Sequence, residues 1–152
     1  MCLYIENAVH TETMKYRNQD IPKPLVADKD ILCFKHLRKN VYHYYYTPYQ
    51  LKTVEFNKNG VAELVSNVKS EKLPFTMNKS LLSLGFIITK GIHSFSFKKH
   101  PYYGTLCFKA IIPQGALYYV GNNKDLVSSK LIIFEDDDAY EKYENGKIFY
   151  VE

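Results

Sequence analysis

The chain has 152 residues, of which 46% are hydrophobic and 24% charged, so a globular domain is expected and a disordered or fibrous chain is excluded. The net charge of +4 comes from scattered lysines and two arginines, which argues against a dedicated nucleic-acid binder. No apolar run approaches the ~20 residues of a membrane-spanning helix, so we expect no membrane span. Fourteen Tyr, nine Phe and no Trp favour strands over helices.

The first third of the chain predicts one strand pair. Residues 2–6 are typical of a short strand. Residues 7–29 are polar and contain two prolines, so we expect an irregular connection there. The apolar run 31–37 predicts a central strand, and residues 41–46 predict a strand that returns against it as a hairpin.

The middle of the chain is less regular. Residues 51–56 alternate imperfectly and precede a turn at 57–60, where Asn and Gly tolerate positive φ. Residues 61–68 suit either a strand or two helical turns, and both alternatives stay open. A short helix is predicted over 79–84, capped by Thr76 or Asn78.

The second half of the chain predicts a series of strands separated by turns that contain Gly or Pro. These strands are expected over 86–89, 92–97, 106–112, 116–120 and 127–134, and an acidic C-terminal segment follows over 135–152. The pattern predicts one α+β domain over residues 1–152, dominated by antiparallel β-sheet with one or two short helices.

Several kinds of chemistry lack their sequence signatures. Cys2, Cys33 and Cys107 lie far apart and cannot all pair, which predicts no metal site and a reducing compartment such as the cytoplasm. Neither glycine-rich phosphate-binding pattern occurs, so the two common nucleotide-binding folds are excluded. From these absences we predict no metal and no resident cofactor.

Three segments of the second half occur in a recognisable order: GIHSFS at 91–96, IPQGALYYV at 112–120 and VSSKLII at 127–133. This order resembles the back half of the mono-ADP-ribosyltransferase fold. The resemblance implies that Ser94 and Ser96 brace an NAD or nucleotide site and that Lys35 holds a phosphate there. The candidate ligand-binding residues are Lys35, His93, Ser94, Ser96 and Tyr118.

The Glu-x-Glu motif of that family is replaced here by Ser129-Lys130-Leu131. A transferase would therefore need another carboxylate, such as Glu135, Asp136 or Glu55. The alternative is a structural role, in which His93 packs on one strand face and Ser94 and Ser96 form hydrogen bonds across strands. Both alternatives stay open.

A second resemblance covers more of the chain. The opening MCL and the segments 27–35, 47–50, 91–95 and 112–119 are similar to a group of small uncharacterised proteins from gut bacteria and their phages. The resemblance implies a bacterial or phage source and a place in the host cytoplasm or the virion.

Three functions follow as expectations. The first is a non-enzymatic binding or interaction protein with a protein partner, which could use an aromatic patch of Tyr42, Tyr44 and Tyr46. The second is an ADP-ribosyltransferase-like protein that binds NAD or another nucleotide. The third is a structural component of a phage particle.

Overall fold

The computed structural model describes residues 3–4, 13–16, 19–48, 52–72, 86–98, 105–121 and 125–146. These ranges contain fifteen strands and one helix. The elements are β1 (Leu3–Tyr4), β2 (Thr13–Tyr16), β3 (Gln19–Pro22), β4 (Leu25–Val26), β5 (Ile31–Lys39), β6 (Tyr45–Tyr46), β7 (Thr53–Val54), β8 (Val61–Val65), β9 (Lys69–Lys72), β10 (Phe86–Lys90), β11 (Ile92–Phe95), β12 (Thr105–Ile112), β13 (Leu117–Val120), β14 (Asp125–Ser128), β15 (Lys130–Phe134) and α1 (Asp137–Glu144). Within these ranges, no helix combines the length and the apolarity that crossing a membrane requires.

The main sheet is built around β5, its longest strand. The strand order is β4-β13-β14-β11-β5-β12-β15-β8, and every pair in it is antiparallel. β5 and β12 are paired at eight positions, from Ile31 opposite Ile112 to Arg38 opposite Thr105. The apolar character of both strands supports this central position. A β-dominated α+β architecture is therefore confirmed.

The sheet curls on itself because one chain segment occupies two places in the strand order. β14 pairs with β11 and β13, whereas β15 pairs with β12 and β8. Only Ser129 separates β14 from β15, and its N–H donates to Leu117 while its C=O accepts from Ser66. β6 extends from β5, pairs with β7, and β7 contacts β8. The curled sheet thus surrounds an interior.

The two faces of the curled sheet bury separate apolar clusters. The interior cluster is formed by alternating residues of the strands, including Cys33, Leu37, Val54, Leu64, Ile92, Phe108, Ala110, Ile112, Leu126, Leu131 and Ile133. The second cluster lies on the outer face under α1 and contains Val61, Ile111, Ile132, Phe134 and Ala139. The period-2 alternation of the strands sends successive side chains to these two faces.

Helix α1 begins at the acidic cluster because that cluster supplies its cap. Asp136 is the N-cap residue, and its Oδ1 accepts the N–H of Ala139 at 2.9 Å. Asp137 and Asp138 add negative charge to the first turn, which the helix dipole favours. Tyr140 and Tyr143 then pack their rings against Phe134.

Two sequence predictions about local structure can be compared with these elements, and a third falls on residues outside the described ranges. Residues 7–29 are not irregular throughout, because they include β2, β3 and β4. Pro22 ends β3 and Pro24 lies between β3 and β4, positions at which a strand tolerates proline. Residues 61–65 form a strand, which decides between the two alternatives for 61–68. The helix predicted over 79–84 lies outside the described residues.

Gly91 allows β11 to approach its neighbours closely. Its φ is +144°, and a Cβ there would lie 2.2 Å from Val127 Cγ1 and 2.9 Å from Val68 Cγ1. Val127 is fully buried and has no room to move aside. Gly115 also has a positive φ, +89°, but its Cβ would meet nothing within 4 Å.

These two glycines separate backbone strain from steric overlap. We expect Gly115→Ala to cost about 1–2 kcal/mol, the usual penalty of a left-handed conformation. Gly91→Ala adds overlap in a packed region, so its cost should reach roughly 3–5 kcal/mol. Urea denaturation of both variants measures the difference in free energy of unfolding. Equal losses would show that only φ, and not contact with Val127, requires glycine.

Candidate functional site

A lysine side chain enters the apolar interior of the curled sheet. Lys35 lies on the same face of β5 as Cys33 and Leu37. Phe108 is paired with Lys35 on the neighbouring strand β12 and lies on the same face of the sheet. The residue is only 6% exposed. An ammonium group is rarely found at such a position, because removing it from water is costly unless it is paired.

The amine of Lys35 is held by a backbone carbonyl. Lys35 Nζ donates to His93 O at 2.6 Å, which joins β5 to β11. No carboxylate of the described residues lies within ion-pair distance of this amine. An ammonium has three donors, and the carbonyl uses one of them. The charge is therefore hydrogen-bonded but not neutralised by a described partner.

Burial changes the proton affinity of three groups here. It lowers the pKa of Lys35 from 10.5 to about 8, opposed in part by Cys33. It raises the pKa of the Cys33 thiol from 9.0 to about 12, opposed by a hydrogen bond with Ser94 and by the Lys35 charge. Burial, followed by the Lys35 charge, lowers the pKa of His93 from 6.5 to about 4. At neutral pH the thiol and imidazole are neutral, and Lys35 is mostly charged.

A small pocket opens beside this amine. Its lining residues come from five strands or the turns next to them: Lys35, Thr47, Lys52, Leu64, Gly91, Ile92 and His93. Its internal space of about 20 Å³ accommodates one water-sized group. Among the described residues, the lining contains two lysines and a hydroxyl but no carboxylate.

Thr47 and Lys52 are held together by two hydrogen bonds. Thr47 N donates to Lys52 O at 2.8 Å, and Lys52 N donates to Thr47 Oγ1 at 2.9 Å. Thr47 is buried, whereas Lys52 is exposed. A hydroxyl that accepts one hydrogen bond can still donate its own proton. Both residues were missed by sequence reasoning, because only the β6–β7 pairing brings them to Lys35.

The structure brings together only part of the set predicted from sequence. Ser94 is buried on the interior face beside Cys33. Its Oγ has no hydrogen-bond partner of good geometry in the described region, yet it lies near enough to the Cys33 thiol to influence that thiol's pKa. We regard this as a weak contact, because a thiol is a poor hydrogen-bond partner.

Of the other predicted ligand-binding residues, Ser96 and Tyr118 lie apart from Lys35 and His93 contacts it. Ser96 follows the end of β11 and is exposed, so it does not share the interior with Ser94. Tyr118 lies on β13, three places from β5 in the strand order. Burial, and then the charge of Asp28, raises the pKa of Tyr118. His93 contributes its backbone carbonyl to the amine.

The three carboxylates suggested for a transferase are not in the pocket lining. Glu135 and Asp136 line a separate cleft next to Phe134. Glu55 is exposed near β7. In the described part of the chain, no three His, Cys, Asp or Glu residues are grouped so that they could hold a metal ion.

The aromatic patch predicted from sequence lies mainly at the end of the β5–β6 hairpin. We call residues 40–44 the hairpin tip. Val41, Tyr42 and Tyr44 are 86%, 76% and 57% exposed. Tyr46 is half-buried and lies outside the tip, on β6 opposite Arg38. The tip therefore presents two tyrosines and a valine, not three tyrosines.

The backbone of the hairpin tip is fixed by Asn40. Asn40 Oδ1 accepts the N–H groups of Tyr42 and Tyr44, at 3.0 and 2.9 Å. Asn40 also donates its own N–H to Tyr44 O and accepts the N–H of His43. His43 adopts a positive φ of 66°, which closes the turn. These bonds hold exposed rings on a defined backbone.

The known proteins provide no assignment for these two features. Comparison with protein-family models, curated proteins and solved structures found no match to this chain. The function is therefore argued from the pocket and the hairpin tip themselves.

Replacing Lys35 by methionine tests its buried charge. At pH 7 the folded state carries an ammonium in a site that disfavours it, so we expect Lys35→Met to increase the free energy of unfolding by about 1–3 kcal/mol. Above pH 8 the folded wild type releases this proton while the unfolded chain keeps it up to about pH 10.5. Wild-type stability therefore rises relative to the variant, and the advantage of methionine shrinks.

Chemical denaturation at pH 7, 8 and 9 measures this difference. Lys58→Met is the matched control, because Lys58 is exposed in a turn and its replacement should change the free energy of unfolding by no more than about 0.5 kcal/mol. A Lys35→Met variant less stable than the wild type at pH 7 would contradict an uncompensated charge.

Proposed function

We propose that the protein is a non-enzymatic binding protein that docks on a protein partner through the hairpin tip. The observation that supports this proposal is the exposure of Val41, Tyr42 and Tyr44 on a backbone fixed by Asn40. Tyrosines carry much of the affinity in protein interfaces, since each offers a large ring and a polar hydroxyl. Fixing the backbone beforehand reduces the entropy lost on binding.

The neighbouring charges favour one kind of partner surface. The stretch 38–48 includes Arg38 and Lys39 but no acidic residue. An apolar cleft with an acidic rim would complement this tip, the cleft taking the rings and the rim the basic side chains. Two basic residues offer few phosphate contacts, so a nucleic-acid partner is the less favoured occupant.

The base of the tip is anchored in the interior. Tyr45 packs edge-on against Phe56 and Phe108, with ring centroids 5.5 and 5.4 Å apart. Lys39 Nζ lies 5.4 Å from the centre of the Tyr45 ring. These contacts anchor Tyr45, the residue that follows the hairpin tip, to the core. A phage structural component could use the same tip against a neighbouring subunit.

An ADP-ribosyltransferase-like nucleotide site is the second hypothesis. Lys35 and Ser94 on the interior side of the sheet favour it. Ser96 is exposed, and the described lining of the pocket holds no carboxylate, and both observations speak against catalysis. Titration with NAD and ADP-ribose, followed by thermal unfolding, tests this hypothesis. A shift of the midpoint that Ser94→Ala abolishes would support it.

Photo-crosslinking from the tip tests the docking proposal. In one variant a photoreactive residue replaces Val41. In a second variant the same residue replaces Val65, an exposed position on β8. In a bacterial lysate we expect one protein to crosslink from position 41 and not from position 65. Crosslinking to nucleic acid would contradict the proposal. Equal crosslinking from positions 41 and 65 would contradict it as well.

Affinity for that purified partner is then measured by calorimetry. Tyr42→Ser and Tyr44→Ser should each weaken binding at least tenfold, which corresponds to about 1.4 kcal/mol. Their free energy of unfolding should change by no more than about 0.5 kcal/mol, because both rings are exposed. Val65→Ser serves as the control. Unchanged affinity in both tyrosine variants would exclude the tip as the binding surface.

Asn40→Ala tests the fixed backbone separately. The substitution leaves Tyr42 and Tyr44 in place but removes the acceptor for their two N–H groups. We expect the free energy of unfolding to fall by about 1 kcal/mol. Partner affinity should fall about threefold to tenfold, because the freed tip must be ordered on binding. Full affinity in this variant would show that the backbone need not be fixed beforehand.

A further inference from the structure

The pocket beside Lys35 has an electrostatic character that docking through the tip does not use. One lysine is buried in it and a second, Lys52, lines it. In the part of the chain that the structure describes, no carboxylate lines the pocket. Two positive charges around a small space attract an anion and repel a metal cation.

The pocket also offers more than one hydrogen-bond donor. Lys35 Nζ uses one of its three protons on His93 O, which lines the same pocket. Thr47 Oγ1 accepts Lys52 N–H and retains its own proton for donation. The internal space of the pocket, about 20 Å³, fits one oxygen atom of a ligand and not a whole ring.

We propose that this pocket is an oxyanion site, in which one oxygen of a phosphate or carboxylate group binds Lys35 Nζ and Thr47 Oγ1. The exposed Lys52 contacts a second oxygen at the mouth. The rest of the ligand extends into solvent, because the pocket has room for the terminal group alone. The oxyanion supplies the counter-charge that the described residues around Lys35 lack.

The alternative occupant is a single water molecule. Water would satisfy the free donors but would leave the ammonium without a counter-charge in an apolar interior. An oxyanion provides both a hydrogen-bond acceptor and a negative charge, and hydrogen bonds between charged groups are about twice as strong as neutral ones. The pocket should therefore select an anion over water when one is present.

Titration with small anions tests the site directly. Inorganic phosphate and acetate are added to the whole protein at pH 7, with sodium chloride at matched ionic strength as reference. Backbone amide NMR follows Gly91 and His93, which line the pocket. We expect saturable shifts of these amides with phosphate, acetate or both, and none with chloride. Phosphate alone identifies a phosphate group, acetate alone a carboxylate, and both a general oxyanion site.

Three variants show whether the binding is at this pocket. Lys35→Met should abolish the shifts, and Lys52→Ala should weaken binding about threefold to tenfold. Lys58→Ala, at an exposed turn, should bind as the wild type does. Because Lys52 is exposed, its variant should fold as the wild type does, and it tests the pocket independently of Lys35→Met.

Two outcomes would overturn the proposal. The first is the absence of saturable shifts with either anion. The second is equal binding by the wild type, Lys35→Met and Lys52→Ala, which would place the anions elsewhere on the surface. Neither outcome affects docking through the tip, since the crosslinking experiment uses residues outside this pocket.

Discussion

The hydrogen bond from Lys35 Nζ to His93 O holds a charged amine inside the curled sheet, and this constraint shapes the candidate site. β5 and β11 share a single Cα-paired position, Phe34 with Phe95, so backbone pairing alone joins them weakly. The lysine adds a charged hydrogen bond across the same two strands. Its stem lies among apolar residues while its amine reaches the carbonyl. The close approach of β11 in turn requires glycine at position 91, where any Cβ would overlap Val127.

This arrangement favours a binding role for the lysine over a purely structural one. A methyl-terminated side chain of similar length would fill the same space without the cost of burying a charge. Cross-strand packing therefore does not require an amine at position 35. A buried charge that we expect to lower stability, on a residue that also lines a pocket, is the kind of local inconsistency that marks a functional site. The neutral Cys33 thiol and the weakly bonded Ser94 hydroxyl nearby do not offset the charge.

The sequence predicted the elements whose signals are local. The apolar runs that become β5 and β12 follow from the sequence pattern, whereas only residues 45–46 of the returning strand predicted over 41–46 pair with β5. The curl at Ser129 could not be predicted, because residues 127–134 look like one strand while their two halves pair with different partners. The helix after Phe134 had a signal, an Asp N-cap followed by acidic residues, which was interpreted only as an acidic segment. Thr47 and Lys52 had none, since tertiary pairing alone places them at Lys35.

The hairpin tip and the pocket are supported by the same short strand pair. β6 follows the tip directly, and Thr47, the next residue, lines the pocket. β6 and β7 have two residues each, too few to be rigid by their own hydrogen bonds. Their order comes from Tyr45 against the interior aromatic rings and from the bonds between Thr47 and Lys52. An anion held by Thr47 and Lys52 would add a third constraint to this pair. The hairpin tip directly precedes β6, so an interaction that orders the pocket also orders the base of the tip. The two sites are therefore connected through a few residues of the chain.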